Sequence, residues 1–184
     1  MKKLLMVLWS ICGVSSILYG CARWERDEVP DTPSPPKSQV NKEEENPEEK
    51  YKNEKIKVFY GDSNNEKMIA EEREISYMKD EEKYKAVLEE LIKGPESQNL
   101  ISNITRDTEV IAVNKNNTDV IADFNETFNR FEGSVAEIIA VGSVVNTLTQ
   151  FEEVERAKIL IEGEELLGPN GLPRGYMTAF PLQP

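Results

Sequence analysis

Acid–base chemistry in this sequence would have to rest on carboxylates, because the 184-residue chain contains no histidine. A Ser-His-Asp triad, a Cys-His dyad and an imidazole zinc ligand are therefore all excluded. The nearest approach to a carboxylate cluster is Glu71, Glu72 and Glu74 with Asp119 and Asp123, and paired carboxylates can hydrolyse glycosides. However, 34 acidic residues bring carboxylates together by chance, and adjacent Glu71 and Glu72 would point to opposite faces of a strand. We therefore predict no catalytic residue.

The residue types that usually hold a metal or a cofactor are also missing from most of the chain. Its two cysteines, Cys12 and Cys21, lie near the N-terminus, so the rest of the sequence offers neither a disulfide nor a thiolate ligand. It contains no Asp-x-Asp-x-Asp-Gly calcium loop and no glycine-rich phosphate loop. We predict no metal and no cofactor. The formal charge of −12 also argues against a nucleic-acid partner, which would require a basic face.

One polar group remains as a possible ligand site. Asn146, Thr147, Thr149 and Gln150 fall at the end of a predicted helix. Polar side chains at such a position more often satisfy unpaired carbonyl groups or an adjoining loop than they bind a ligand. We therefore predict a structural role for these four residues.

The N-terminus has the features of a secretory signal. Lys2 and Lys3 precede a largely apolar run from Leu4 to Leu18, which is shorter than the roughly 20 residues of a spanning helix. The run ends in Leu18-Tyr19-Gly20-Cys21, which resembles the cleavage box of bacterial lipoproteins. We expect residues 1–20 to be removed and a lipid on Cys21 to anchor the protein at the extracytoplasmic face of the cell membrane. The alternative is an ordinary signal peptide that leaves Cys21 as a free thiol.

Residues 21–54 are predicted to be a disordered linker that follows the lipidated cysteine. Four prolines lie between positions 30 and 36, and residues 41–54 are almost entirely polar and charged, so apolar side chains are too few to offset the cost of ordering. A coil of this length spans roughly 30 Å. Loss of Lys2 and Lys3 leaves 20 basic against 34 acidic residues, a net charge of −14, which should hold the protein away from an anionic membrane surface.

Two helices are predicted from the spacing of apolar residues. Asp80 is expected to cap the first, which Gly94-Pro95 ends, and Ser134 with Glu137 to form the capping box of the second, which runs to about Gln150. The first has a single apolar stripe: Tyr84, Val87, Leu88, Leu91 and Ile92. The second has more than one stripe: Val135, Ile138, Ile139, Val141, Val144, Val145 and Leu148. This excess indicates a central, buried helix or, alternatively, a docking face for another protein.

Five strands are predicted around these helices, at residues 56–60, 68–77, 108–113, 118–124 and 154–161, with Asn114 to Asn117 as a hairpin loop. The order ββαββαβ predicts an α/β fold of the α+β two-layer sandwich type, with a mixed sheet and both helices on one face. We place this domain at residues 55–165. Residues 166–184 are rich in Gly and Pro and should form an irregular tail. The apolar residues that could fix this tail to the domain are Leu166, Leu167, Tyr176, Met177 and Phe180.

Several blocks between Lys55 and Glu162 resemble the GerMN domain of bacterial sporulation and spore-germination proteins. They are Ile56-Lys57-Val58-Phe59-Tyr60-Gly61-Asp62, Leu88 to Pro95, Val120-Ile121-Ala122-Asp123-Phe124, Ser143 to Phe151 and Ile159-Leu160-Ile161-Glu162-Gly163. The resemblance implies a non-catalytic domain outside the cytoplasmic membrane, with a fold similar to the ring-building motifs of secretion-like channels. This sequence has one copy of the domain where the founding protein has two.

The resemblance leads us to expect a protein-interaction or assembly module of the cell envelope, acting in sporulation or spore germination. Its expected partners are other envelope or sporulation proteins, and a homo-oligomer is possible. The alternative is an envelope lipoprotein that binds a small molecule or a cell-wall glycan. The only tryptophans, Trp9 and Trp24, precede the predicted domain, so it lacks the side chain best suited to stacking on sugars.

Overall fold

The computed structural model describes residues 51–182, and the predicted signal peptide, Cys21 and most of the predicted linker lie outside this range. The described chain forms seven strands and two α-helices, and none of its helices has the length and apolar character needed to span a membrane. In chain order the elements are β1 (Lys52–Asp62), β2 (Met68–Tyr77), α1 (Lys83–Ile92), β3 (Leu100–Ile101), β4 (Val110–Asn116), β5 (Asp119–Phe124), α2 (Ser134–Leu148), β6 (Arg156–Ile161) and β7 (Glu164–Glu165).

The strands are divided between two sheets. The first has the order β2-β1-β3 and is antiparallel, and the second has the order β4-β5-β6-β7 with β5 and β6 parallel. The α/β class is confirmed, and the second sheet is mixed as predicted. The division into two sheets was not predicted, nor were β3 and β7, because strands of two residues are too short to show a periodicity.

The two helices join the sheets into one core. The first helix, α1, packs against β1, β2, β4 and α2, whereas α2 connects β5 to β6 and packs against β1 and β6. All five residues of the predicted α1 stripe are buried, so that prediction is confirmed. The core also takes in Tyr60 of β1 and Phe124 of β5, and the ring of Phe124 stacks on Phe128 with 4.6 Å between ring centroids.

The second helix is the central element of the domain. Every residue from Ile139 to Leu148 is buried, which confirms the central position that the excess of apolar residues indicated. Small side chains allow this packing, since a Cβ atom at Gly142 would lie 2.7 Å from the sulfur of Met68. The helix makes apolar contacts on all sides, and this explains why its apolar residues are not confined to a single stripe.

Both predicted helix starts are wrong in detail. Asp80 begins a short 3₁₀ turn, Asp80–Glu82, and its carboxylate binds Lys52 instead of capping α1. The predicted capping box of α2 does not form, because Gly133 takes the N-cap position with φ +101° and Ser134 is already helical. The Glu137 side chain instead forms an ion pair with Arg174 of the tail. A long-range partner thus takes the place of the local capping contact.

The hairpin loop between β4 and β5 is shorter than predicted. Asn114, Lys115 and Asn116 all belong to β4, and only Asn117 and Thr118 connect the strands. Asn117 adopts φ +54°, the left-handed conformation that asparagine tolerates better than most residues. Such a conformation suits a two-residue turn, and this is why the strands extend further than the polar composition of the segment suggested.

Candidate functional site

The carboxylates singled out from the sequence do not form a cluster. Glu71 lies on the inner face of β2, whereas Glu72 and Glu74 lie on its exposed face. In the other sheet, Asp119 binds Arg156 through two hydrogen bonds of 2.9 and 2.8 Å, and Asp123 accepts the backbone N–H of Gly163 at 3.1 Å. The residues from 51 to 182 contain no group of acidic side chains arranged to hold a metal ion.

Glu71 instead belongs to an ion-pair network around a nearly buried arginine. The Arg73 side chain, which is 7% exposed, forms ion pairs with Glu71, Glu90 and Glu96, and it donates a 3.0 Å hydrogen bond to the Gly94 carbonyl. The network therefore ties β2 to the end of α1 and to the loop that follows. Arg73 was not singled out from the sequence, although its place in β2, two residues before the inward-facing Ile75, was an available signal.

The surroundings of Glu71 keep its carboxylate charged. Burial by itself would raise the pKa of Glu71, but its oxygens accept the backbone N–H groups of Glu96 (3.1 Å) and Ser97 (2.9 Å) as well as the Arg73 guanidinium. These hydrogen bonds outweigh the burial and hold the pKa of Glu71 below its ordinary value of 4.5. A carboxylate that is ionised and fully bonded to its own fold is poorly suited to act as a general acid.

The four polar residues at the end of α2 also serve the fold. The side-chain amide of Gln150 pairs with the backbone of Lys57, accepting its N–H at 2.7 Å and donating to its carbonyl at 2.7 Å. The Thr147 hydroxyl accepts the N–H of Phe59 at 3.3 Å, and the Thr149 hydroxyl donates to the Val145 carbonyl at 2.8 Å. Gln150 and Thr147 thus cover part of the β1 edge that no strand covers, and a structural role is confirmed for these three residues.

Asn146, the fourth of these residues, fixes the C-terminal tail. Its side-chain amide accepts the N–H of Phe180 at 2.7 Å and donates to the Phe180 carbonyl at 3.1 Å. The predicted structural role is therefore confirmed here too, although the partner is neither a helix carbonyl nor an adjoining loop. Of the tail residues that we expected to contact the domain, Leu166 is buried, while Met177 and Phe180 pack against the core. Leu167 and Tyr176 remain largely exposed.

A second charged group fixes the first residues of the domain. Lys83 forms ion pairs with Glu54 and Glu153, at 3.0 and 3.4 Å, and its ammonium lies 3.9 Å from the centroid of the Phe151 ring. Tyr77 also donates a 2.8 Å hydrogen bond to Glu54, and burial together with this carboxylate raises the pKa of Tyr77 to about 12. Glu54, which the sequence places at the end of the linker, lies instead in β1 and is bound to the domain.

The feature best suited to contact another molecule is a pair of exposed apolar residues on α2. Val135 is 55% exposed and Ile138 is 49% exposed, and their spacing of three residues places them side by side on the helix surface. No other large apolar residue in the described helices is exposed. The central position of α2 therefore leaves its first turns as the part of the predicted docking face that another protein could reach.

The hollows on the described surface are open and have mixed linings. One of them, between α1 and the end of β2, has Tyr51 and Tyr77 together with Lys85 and Glu89 in its wall. No tryptophan lines it, since both tryptophans precede residue 51. The usual small-molecule site is an enclosed apolar cavity with a few convergent polar groups. None of five hollows on the surface of residues 51–182 has this form.

The fold and its surface together define a mixed α/β domain in which most polar side chains of the predicted sites are used for structure. Comparison with known proteins identifies the class: the family described as Germane, sporulation and spore germination, matches residues 57–167. The chain belongs to this family, and the resemblance carried by its sequence blocks is confirmed. No curated protein matches the sequence.

Two solved structures from Bacillus subtilis share the fold. The first GerMN domain of the sporulation protein GerM is 27% identical with a TM-score of 0.51, over 65% of this chain and 92% of that one. The tandem GerMN domains of GerM are 18% identical with a TM-score of 0.55, over 69% of this chain and 45% of that one. The chain thus spans less than half of the tandem structure and nearly all of the single domain.

Proposed function

We propose that the protein is a lipid-anchored envelope protein whose GerMN domain works by binding other envelope or sporulation proteins, without catalysis. Its membership of a sporulation and germination family supports the setting. The chain has no histidine, and Glu71, Asp119 and Asp123 are all engaged in ion pairs or hydrogen bonds within the fold, which supports a role without acid–base chemistry. The lipoprotein-like segment Leu18 to Cys21 supports attachment to the outer face of the membrane.

The single observation that carries the binding role is the exposed pair Val135 and Ile138. Burial of a fully exposed side chain of this kind gives about 1.5–3 kcal/mol. Val135 and Ile138 are already about half-buried, so covering each of them gives roughly half of that value. The pair lies on the central helix, so the backbone of both residues is already ordered before a partner binds. Less ordering on binding leaves more of the interaction energy as affinity.

The proposal is tested by photocrosslinking in the native host. A photoreactive amino acid placed at position 135 or 138 of the full chain is expected to capture one defined envelope or sporulation protein, identified by mass spectrometry. Ile138→Glu, with the photoreactive residue at position 135, should abolish this capture. Ile111 offers a matched control, because it is apolar and 50% exposed but lies in β4, and Ile111→Glu should leave the capture unchanged.

Two outcomes would contradict the binding role. One is an unchanged crosslink in Ile138→Glu with a native circular dichroism spectrum, and the other is an equal loss in Ile111→Glu. Saturable heat on titration with wall fragments, unaffected by Ile138→Glu, would instead favour the glycan-binding alternative.

In an endospore-forming host, deletion of the gene is expected to lower the number of heat-resistant spores or slow their germination. Normal values for both would remove the proposed setting.

A further inference from the structure

The chain continues beyond the family match, which ends at residue 167, and its remaining described residues fold back over α2 and β6. The part of the tail that lies beyond the family match, residues 168–182, has almost no regular structure of its own. It is nevertheless bound at three separate points, each with a different chemistry. Together these three points describe a groove built from family-matched residues and filled by a segment outside the match.

The first point is a backbone pair at the edge of the second sheet. Met177 and Ala157 exchange two hydrogen bonds, N–H to carbonyl in both directions, each of 2.8 Å. The same edge of β6 is covered further along by β7, which pairs with Leu160 and Ile161. Met177 therefore occupies the part of the edge that β7 leaves open. Backbone pairing of this kind is how a sheet edge takes up an extended peptide.

The second point combines a backbone contact with an aromatic contact. Asn146 is only 5% exposed, and its amide binds both the N–H and the carbonyl of Phe180, so it recognises extended backbone. The Phe180 ring lies over Gly142, where an added Cβ atom would be 3.5 Å from the ring and would collide with Met68. The glycine thus leaves the space that the ring and the methionine share.

The third point is an ion pair. Arg174 of the tail binds Glu137 of α2, and their side chains are 17% and 15% exposed. The Arg174 backbone N–H also donates to the Leu166 carbonyl at 3.0 Å. Beyond it, the Tyr176 ring lies 5.0 Å from the guanidinium carbon of Arg156 and 4.8 Å from the Lys158 ammonium. The groove thus contacts a cation and an aromatic residue that lie two positions apart in the tail.

We propose that this groove is a peptide-binding site that each copy of the chain fills with its own tail, and that the tail of a second copy can fill it instead. All three contacts join tail to groove, and none requires both to belong to one chain. Gly171 and Gly175 within the tail adopt φ +74° and +66°, conformations that glycine reaches without strain. The occupant is a second copy because the groove is seen to fit this sequence. The surface differs from the pair Val135 and Ile138, so the proposal stands or falls independently of the proposed function.

Tethering makes the exchange depend on how closely the copies approach one another. A tail that stays covalently joined to its own domain competes at an effective concentration of roughly the millimolar range. Exchange between copies therefore becomes substantial only when their local concentration approaches that range, as it can when many copies share a small surface. In dilute solution the self-filled form should dominate.

Binding of the tail in trans is tested with a fluorescent peptide of residues 172–184. The receptors are the full chain and its Phe180→Ala variant, whose own tail is weakened at the second point. Fluorescence anisotropy should show at least tenfold tighter apparent binding to Phe180→Ala than to the unaltered chain. A peptide that itself carries Phe180→Ala should lose this gain. Equal binding to both receptors, or no binding to a variant with a native circular dichroism spectrum, would overturn the proposal.

Exchange between copies is tested separately with engineered disulfides. Residues that exchange both backbone hydrogen bonds have Cα atoms about 5.5 Å apart, a distance that a disulfide spans. Two full-length copies of different mass, one with Ala157→Cys and the other with Met177→Cys, should form a mixed disulfide when crowded on one membrane. Control mixtures, in which one of the two copies lacks its engineered cysteine, measure the background of disulfides that involve Cys21. A double variant that carries both Ala157→Cys and Met177→Cys in one chain shows whether the two positions can form a disulfide. If this variant forms its internal disulfide readily while the mixed disulfide between copies never exceeds background, exchange between copies is refuted.

Discussion

Replacement of Arg73 by methionine is expected to be one of the most destabilising single substitutions in the described domain. Methionine keeps most of the side-chain volume but removes the charge that binds Glu71 and Glu90, whose side chains are only 15% and 12% exposed. Loss of one member of a buried ion pair costs about 3–5 kcal/mol when the remaining charge is left uncompensated. The lower end of this range applies here, because Glu71 keeps two backbone N–H donors and Glu90 keeps its ion pair with Lys93. Since a domain of this kind is stable by about 5–15 kcal/mol, the substitution should remove a large part of its stability.

The expected loss is measured by urea unfolding at pH 7, followed by far-ultraviolet circular dichroism because the described domain has no tryptophan. With an m-value of about 2 kcal/mol per M, the midpoint should fall by roughly 1.5 M. Arg130→Met is the matched control, because Arg130 and Glu126 are 63% and 71% exposed. An exposed pair of this kind contributes about 0–1 kcal/mol, so the control should unfold nearly as the unaltered chain does.

The pH dependence distinguishes the loss of an ion pair from a general packing defect. The pKa of Glu71 is lower in the folded than in the unfolded state. The folded state therefore binds fewer protons, and the stabilisation is present above pH 4.5 and is lost as the pH falls through the folded pKa. In Arg73→Met, burial is opposed only by the backbone N–H groups, so the pKa of Glu71 should rise and acid should neutralise the unpaired charge.

The cost of Arg73→Met should therefore be smaller at pH 4 than at pH 7. This is measured as the difference in the free energy of unfolding between variant and unaltered chain at each pH. A difference that stays constant across this range, or one no larger than that of Arg130→Met, would show that the charges around Arg73 do not stabilise the domain in this way.

Three further predictions concern the other parts of the chain. Gln150→Ala should cost about 1 kcal/mol in urea unfolding, because the Lys57 backbone loses two hydrogen bonds that lie at the surface, where water can replace them. It should also increase aggregation, because it uncovers the β1 edge; unchanged stability and solubility would argue against the covering role. Phe128→Ala should lower the free energy of unfolding by about 3–5 kcal/mol, since the ring is 1% exposed and stacks on Phe124. A loss below about 1 kcal/mol would contradict this packing. Cys21→Ala should release the protein from membranes into the medium, and mass spectrometry that finds an unmodified Cys21 thiol in the native chain would refute lipidation.

The parts of the fold that the sequence predicted well are those defined by local spacing. The α1 stripe from Tyr84 to Ile92 and the extent of α2 follow from residues three and four apart, which are neighbours on any helix. The inward face of β2, with Ile75 and Tyr77, follows in the same way from alternation. The predicted caps failed because Ser134 and Asp80 had competing arrangements, a glycine N-cap in one case and an ion pair with Lys52 in the other.

The candidate site was predictable only in part. The sequence placed Val135 and Ile138 on an over-wide apolar helix, but it could not separate them from the buried members of the same set. Burial depends on what surrounds α2, and its neighbours β1 and β6 come from opposite ends of the domain. Asn146 was similarly identified as a polar residue of interest, whereas its partner, Phe180, lies 34 residues further along the chain.

The sequence by itself determined the family, the helices and the exclusion of histidine chemistry, because these depend on residue types and on spacings within a few residues. The tertiary structure alone decided that Arg73 gathers Glu71, Glu90 and Glu96, that Gln150 covers the edge of β1, and that the tail fills a groove on α2 and β6. Each of these contacts joins segments whose approach is set by the packing of whole helices and sheets. Local periodicity carries no information about that packing, since the same pattern is compatible with many arrangements of the elements.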